Sequence, residues 1–191
     1  MACLRFVVIA LLLSVLAHAK PALPFQRLDG CVYKPQRWND GDSFHVVLKD
    51  GKEVIFRLYF VDTPEEEAVY RDRIAEQGAY FHLSSQAVMQ VGREAEVFTR
   101  NELSRPFTVY TRWRSALGRS KLPRYYAVVI ASDGKDLAQA LVKHGLARIY
   151  GVRTPLPDGS DSRNYLDKLH LQEADAKAHH LGGWKGIALS H

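Results

Sequence analysis

The sequence predicts an α+β fold with a mostly β core, in which a small five-stranded barrel packs against three to four helices. Three observations support it: short runs of alternating apolar residues, a hairpin signal between two of those runs, and helical stretches after the third and fifth strands. The chain has 191 residues, enough for one domain with a full core. A generic α+β domain is the alternative that strand counting leaves open.

Three strands are predicted in the first part of the chain, over residues 30–37, 43–48 and 54–61. Asp50-Gly51 is a hairpin turn signal between the second and the third. Arg57 lies on a strand face that is otherwise apolar, so its charge needs a partner or a ligand. Thr63-Pro64 ends the third strand, because proline cannot donate a hydrogen bond to the sheet.

Helices and strands then alternate to the end of the chain. Residues 65–103 predict helix, broken near Gly78 and Gly92. Strands follow over 107–113, 125–131 and 147–150, with a short helix over 137–144 that Gly145 closes, and a last helix over 164–180. This order of elements fits an OB-type barrel.

The N-terminal 19 residues predict a secretory signal peptide. A charged start precedes an apolar run over 6–17, and Ala17-His18-Ala19 is a typical cleavage site. The run is too short to span a bilayer, which needs about 20 residues. We therefore expect a single mature domain over 20–191, secreted or periplasmic and not membrane-bound. Cys31 is then the one remaining cysteine, so no internal disulfide is expected.

The net charge and one acidic pair point to a class of ligand. The formal charge of +5 favours polyanionic partners such as nucleic acid. The predicted hairpin brings Asp42 near Asp62, and two converging carboxylates repel unless a cation lies between them. With the carbonyl of Thr63 and water they would suit Ca²⁺. The alternative is that Asp40-Gly41-Asp42 only forms a turn.

Two further residues complete a possible hydrolytic centre. The planar guanidinium of Arg57 can hold a phosphate through two hydrogen bonds, and a structural ion pair is its alternative role. Glu65 follows a proline and can polarise a water molecule for attack on phosphorus. Its alternative role is a favourable charge at a helix N-terminus.

Several motifs together resemble one known family. They are Asp40-Gly41-Asp42-Ser43, Phe56-Arg57-Leu58, Val61-Asp62-Thr63-Pro64-Glu65, Asp133-Gly134-Lys135, Ala140-Leu141-Val142 and Gly145-Leu146-Ala147. The sequence resembles the staphylococcal nuclease-like (thermonuclease) family, secreted calcium-dependent nucleases built on an OB-fold barrel. The resemblance covers a core of about residues 32–184.

This resemblance implies a function and a role for each motif residue. Asp42 and Asp62 are implied as calcium carboxylates, with the Thr63 carbonyl as a third ligand. Glu65 is implied as the general base and Arg57 as a phosphate-binding arginine. The implied reaction is hydrolysis of DNA and RNA to 3′-phosphate products. The protein is expected to be a monomer without stable protein partners. The rival interpretation is an OB-fold module that binds nucleic acid without cleaving it.

The family has a second arginine, for which two candidates exist. Its usual Gly-Arg pairing favours Arg119, whereas counting back from Asp133-Gly134-Lys135 favours Arg124, which we prefer. Lys121 falls where a phosphate-contacting lysine is expected. The family's tyrosines around the nucleotide base are not clearly matched, and Tyr150 is the candidate for substrate contact.

Two further segments have more than one interpretation. Residues 66–91 are longer than in the family prototype and form either a lid over the substrate or an extra packed helix. The run over 110–114 interleaves aromatic residues with arginines, as surfaces that bind single strands do. The alternative is an ordinary strand with an exposed basic face.

Overall fold

The computed structural model describes residues 23–118 and 122–186. The predicted signal peptide, Arg119 and Lys121 lie outside these ranges. The strands are β1 (Gln26–Tyr33), β2 (Ser43–Val47), β3 (Glu53–Leu58), β4 (Val61–Asp62), β5 (Phe107–Ser115), β6 (Arg124–Ile130) and β7 (Arg148–Ile149). The helices are α1 (Arg71–Phe81), α2 (Ser85–Glu102), α3 (Leu137–Lys143) and α4 (Ser162–Ala178), followed by a 3₁₀ turn, Gly182–Trp184. In the described ranges, no helix has the length and apolar character needed to cross a bilayer.

Five strands close into a barrel in the order β1-β2-β3-β6-β5. Strands β3 and β6 pair in parallel and the other neighbours are antiparallel, while β4 and β7 form a separate antiparallel pair. This arrangement confirms the predicted α+β fold with a five-stranded OB-type barrel and four helices.

Alternation along the strands separates an apolar interior from an outer wall that carries charged side chains. Phe44, Phe56 and Val109 are completely buried inside the barrel. Because successive side chains point to opposite faces, Arg57 on β3 and Arg124 on β6 belong to the outer wall. The hydrophobic effect of the closed core thus fixes where these two cations lie.

Most strand boundaries differ from the prediction by one to four residues, and two of these differences have a clear structural cause. Strand β1 begins at Gln26 rather than residue 30, because its first residues pair with β5 and a bulge follows Leu28. The third predicted strand ends at Leu58, because Phe60 adopts a left-handed backbone with φ of 70°. This turn separates β3 from β4 and sends Asp62 towards β7.

The predicted helical region over 65–103 contains two helices, α1 and α2, with one break between them. This break does not lie at Gly92. Helix α2 runs through Gly92, so that predicted break is wrong. A Cβ atom there would lie 2.6 Å from the carbonyl oxygen of Pro64 and 2.8 Å from that of Glu65. The glycine therefore permits a close approach between helix and loop. The true break follows α1, where His82 has a φ of 59° and Ser84 caps α2.

Candidate active site

Asp62 is the centre of a buried network of ion pairs. Its Oδ1 lies 2.7 Å from Nη2 of Arg57 and 2.7 Å from Nη2 of Arg73. Its Oδ2 accepts from Nε of Arg148 at 2.8 Å and from Nε2 of Gln77 at 3.0 Å. Burial alone would raise the pKa of Asp62, but the guanidinium groups outweigh it and hold that pKa below its usual value.

Asp42 meets Asp62 through one nitrogen atom of Arg57. Nη2 of Arg57 lies 3.0 Å from Oδ2 of Asp42 and 2.7 Å from Oδ1 of Asp62. Oδ2 of Asp42 also accepts the backbone N–H of Thr63 at 3.0 Å. The structure therefore brings together the two carboxylates that the hairpin predicted, and it gives Arg57 the ion pairs that its buried charge required.

The turn that carries Asp42 has an excess of negative charge. Oδ1 of Asp40 accepts the backbone N–H groups of Asp42 and Ser43, at 3.1 and 2.6 Å, so the turn interpretation of this motif is also correct. Burial and mutual repulsion raise the pKa of Asp40, and burial does the same for Asp42, in both cases against the nearby Arg57. Gly41 allows the turn to pack closely, because a Cβ atom there would lie 2.7 Å from Cβ of Ala95.

Glu65 is held from helix α1. Its Oε1 lies 2.5 Å from Nε of Arg73, and its backbone N–H donates to Oε1 of Gln77 at 2.8 Å. The same Gln77 side chain donates to the carbonyl oxygen of Thr63 at 3.0 Å. Burial raises the pKa of Glu65, and the ion pair with Arg73 opposes that rise. The loop that carries Thr63 and Glu65 is thus fixed by α1.

Three members of this network did not emerge from the sequence. Arg73 and Gln77 lie four residues apart on one face of α1, and Gln77 is fully buried. These two polar residues on the inner face of a helix were the sequence signal that could have indicated a contact with the site. Residues 66–91 therefore contribute helix α1 and the beginning of α2, and α1 contacts the site. Arg148 lies in an apolar stretch, so the reasoning that singled out Arg57 applied to it as well.

Arg124 lies beside Arg57 on the outer wall. Its Nη1 is 3.4 Å from Oγ of Ser43, and its Nε donates to the carbonyl oxygen of Leu117 at 2.7 Å. Ser43 is the partner of Arg57 in the β2–β3 register. Burial lowers the pKa of Arg124, and repulsion by Arg57 lowers it further. Two guanidinium groups are therefore held close together, an arrangement that suits a phosphate.

Tyr150 connects to the network through Arg148. The guanidinium carbon of Arg148 lies 4.3 Å from the centre of the Tyr150 ring, and the tyrosine side of this contact is exposed to solvent. Tyr150 lines a shallow cleft together with Phe60, Ile149, Gly151, Arg153 and Leu166. A base or another flat group can reach the ring from this cleft.

The oxygen atoms near the turn have the chemistry that Ca²⁺ prefers. Carboxylates and a backbone carbonyl are hard ligands, and Asp40, Asp42 and Thr63 supply them. In the part of the chain that the structure describes, however, no three His, Cys, Asp or Glu side chains surround one metal position. Both carboxylate oxygens of Asp62 instead contact guanidinium or amide nitrogens.

Comparison with known proteins places this geometry in context. A family model described as staphylococcal nuclease homologue matches residues 55–186, a range that includes Arg57, Asp62, Glu65 and Arg124. Endonuclease YncB of Bacillus subtilis (strain 168) is 28% identical to the chain over 145 residues. That match covers 76% of this chain and 57% of YncB, so the chain spans little more than half of that protein.

Proposed function

Because this chain belongs to the staphylococcal nuclease family, we propose that it is a secreted, calcium-dependent nuclease that hydrolyses the phosphodiester bonds of DNA and RNA. One observation carries the proposal: Arg57 and Arg124 lie on the neighbouring strands β3 and β6, close enough to interact electrostatically, and Arg57 contacts both Asp42 and Asp62. The endonuclease name of YncB agrees with it.

The two arginines bind and stabilise the phosphate. A phosphodiester gains negative charge as water adds to phosphorus, and preorganised guanidinium groups stabilise that charge most in the transition state. Nη2 of Arg57 is oriented by Asp42 and Asp62, which leaves the rest of its planar fork for a phosphate oxygen. Arg124 is held by Ser43 and Leu117 and supplies the second cation.

Glu65 acts as the general base. Burial raises the pKa of Glu65 above its ordinary value, and a carboxylate with a raised pKa is the stronger base towards water. Arg73 keeps Glu65 oriented through its contact with Oε1. In this proposal the activated water attacks in line, the 5′-oxygen leaves, and the products carry a 3′-phosphate.

Asp42, Asp62 and the Thr63 carbonyl would hold Ca²⁺. When bound, the ion supplies positive charge that neutralises the phosphate during attack. The excess of carboxylate charge at the Asp40–Asp42 turn supports this position. So few protein ligands imply weak binding, which is sufficient outside the cell, and the predicted signal peptide supports that location.

Digestion of plasmid DNA and of RNA, with Ca²⁺ and then with a chelator, tests the function. We expect Glu65→Gln to lower the cleavage rate by about 10² to 10⁴, because it removes the base while keeping the shape of the side chain. Glu67→Gln is the matched control, since Glu67 is exposed nearby. Binding of nucleic acid without cleavage by the wild type would favour the non-catalytic alternative, and equal rates for both variants would reject the role of Glu65.

A further inference from the structure

A second set of cations and rings continues from the phosphate site along the outer wall of the barrel. Tyr126 on β6 is the register partner of Arg57 on β3. The guanidinium carbon of Arg114 lies 5.9 Å from the centre of the Tyr126 ring. We call this surface the arginine–aromatic face, and it consists of Phe25, Arg27, Tyr110, Arg112, Arg114 and Tyr126.

The face extends across β5 to β1 by similar contacts. The guanidinium carbon of Arg112 lies 4.4 Å from the centre of the Phe25 ring, and that of Arg27 lies 5.9 Å from the centre of the Tyr110 ring. Phe25 and Tyr126 are linked beneath the surface by the buried Tyr59, whose ring centre is 6.3 Å from that of Phe25 and 5.0 Å from that of Tyr126. Rings and guanidinium groups therefore form one continuous surface.

The arginines of this face have unused capacity to bind anions. Arg27 pairs with Asp29 at 2.9 Å, whereas Arg112 and Arg114 have no carboxylate partner among residues 23–118 and 122–186. In the same ranges the buried Nε of Arg112 has no hydrogen-bond partner. The guanidinium charges of Arg112 and Arg114 are thus not neutralised by a carboxylate of the described residues, and Arg114 is exposed to solvent, where a phosphate can contact it.

We propose that the arginine–aromatic face binds single-stranded nucleic acid and guides it to the Arg57–Arg124 pair. Partly exposed rings offer stacking surfaces to unpaired bases, and the arginines between them match a phosphate backbone. A double helix keeps its bases stacked inside, so the rings of this face give it no advantage. The inference rests on the proposed nuclease function and specifies its substrate: an unpaired strand several nucleotides long.

Substrates of different length distinguish the contribution of this face from that of the hydrolytic centre. We expect the wild type to cleave an oligothymidylate of about 15 nucleotides with a lower KM than a trinucleotide, since the longer strand covers the face. Arg112→Gln/Arg114→Gln should raise the KM for the longer strand about tenfold and leave the trinucleotide kinetics unchanged. Arg100→Gln/Arg105→Gln, on and just after α2, is the control with the same change of charge.

A binding measurement keeps the test independent of catalysis. Fluorescence anisotropy of the same oligothymidylate in chelator should show a weaker affinity for the double variant. Two lost phosphate contacts should also lower the slope of log K against log salt by about 1.4. Arg114→Gln alone, at an exposed position, should show part of both effects if the double variant folds poorly.

Each outcome distinguishes the two proposals. If the wild type cleaves neither length, the nuclease function fails, and the anisotropy still decides whether the face binds a strand. If cleavage is normal and the variant loses no more than its control, the face has no such role. An equal loss on the trinucleotide and the longer strand would also overturn the inference.

Discussion

Asp62 lies on one side of Arg57, and the Asp40–Asp42 turn lies on the other. The pKa of Asp62 is lowered, whereas the pKa values of Asp40 and Asp42 are raised. Asp62 receives guanidinium or amide nitrogens on both oxygens, and its pKa is lowered. Asp40 and Asp42 lie next to each other with Arg57 as their main nearby cation, and their pKa values are raised. The charge of Asp62 is therefore balanced by protein groups in this structure, whereas the turn keeps negative charge that the protein balances less completely.

The largest expected effect comes from removing the charge of Asp62. Asp62→Asn leaves Arg57, Arg73 and Arg148 clustered without their shared anion. We expect the free energy of unfolding to fall by about 3–5 kcal/mol, as for other buried ion pairs that lose one partner. Equilibrium unfolding in urea measures it. A loss below about 1 kcal/mol would mean that the two carboxylate groups do not differ as described.

Asp42→Asn is the matched change on the other side of Arg57. Without metal we expect the free energy of unfolding to change by less than about 1 kcal/mol, because the loss of an ion pair is offset by relief of repulsion with Asp40. If Ca²⁺ binds as proposed, it should raise the Tm of the wild type, and this rise should be absent in Asp42→Asn. If Ca²⁺ raises the Tm of this variant as much as that of the wild type, Asp42 is not a ligand.

The smallest effect concerns Glu66, a carboxylate next to the site that has no ion pair in the described part of the chain. Burial first, and then Glu96, raise its pKa to about 7, against the attraction of Arg93. Its pKa is therefore higher in the folded than in the unfolded state, so its contribution to stability is lost as the pH rises towards and through 7.

Glu66→Gln tests this contribution. The variant cannot ionise at this position, so its Tm relative to the wild type should rise between about pH 5 and pH 8. Glu67→Gln provides the exposed control, for which we expect no such trend. A constant Tm difference over this range would contradict the raised pKa of Glu66.

The strand-borne half of the site was predictable from sequence, and the helix-borne half was not. Arg57 stands out in the sequence because its charge interrupts a run of apolar residues. The position of the hairpin turn also predicts that Asp42 and Asp62 lie at the same end of the hairpin. Arg73 and Gln77 lie on helix α1. The helical periodicity of a sequence predicts which face of a helix is buried, but not which loop packs against that face. The left-handed backbone of Phe60, which redirects Asp62, has no signature in the sequence.

The parallel pairing of β3 with β6 has a consequence for how the protein becomes active. Arg57 and Arg124 are far apart along the chain, and they come together only when β3 pairs with β6. A nascent or partly opened chain holds no paired guanidinium groups. If the protein is the proposed nuclease, cleavage should begin only after β3 has paired with β6, and recovery of activity during refolding would report on that pairing.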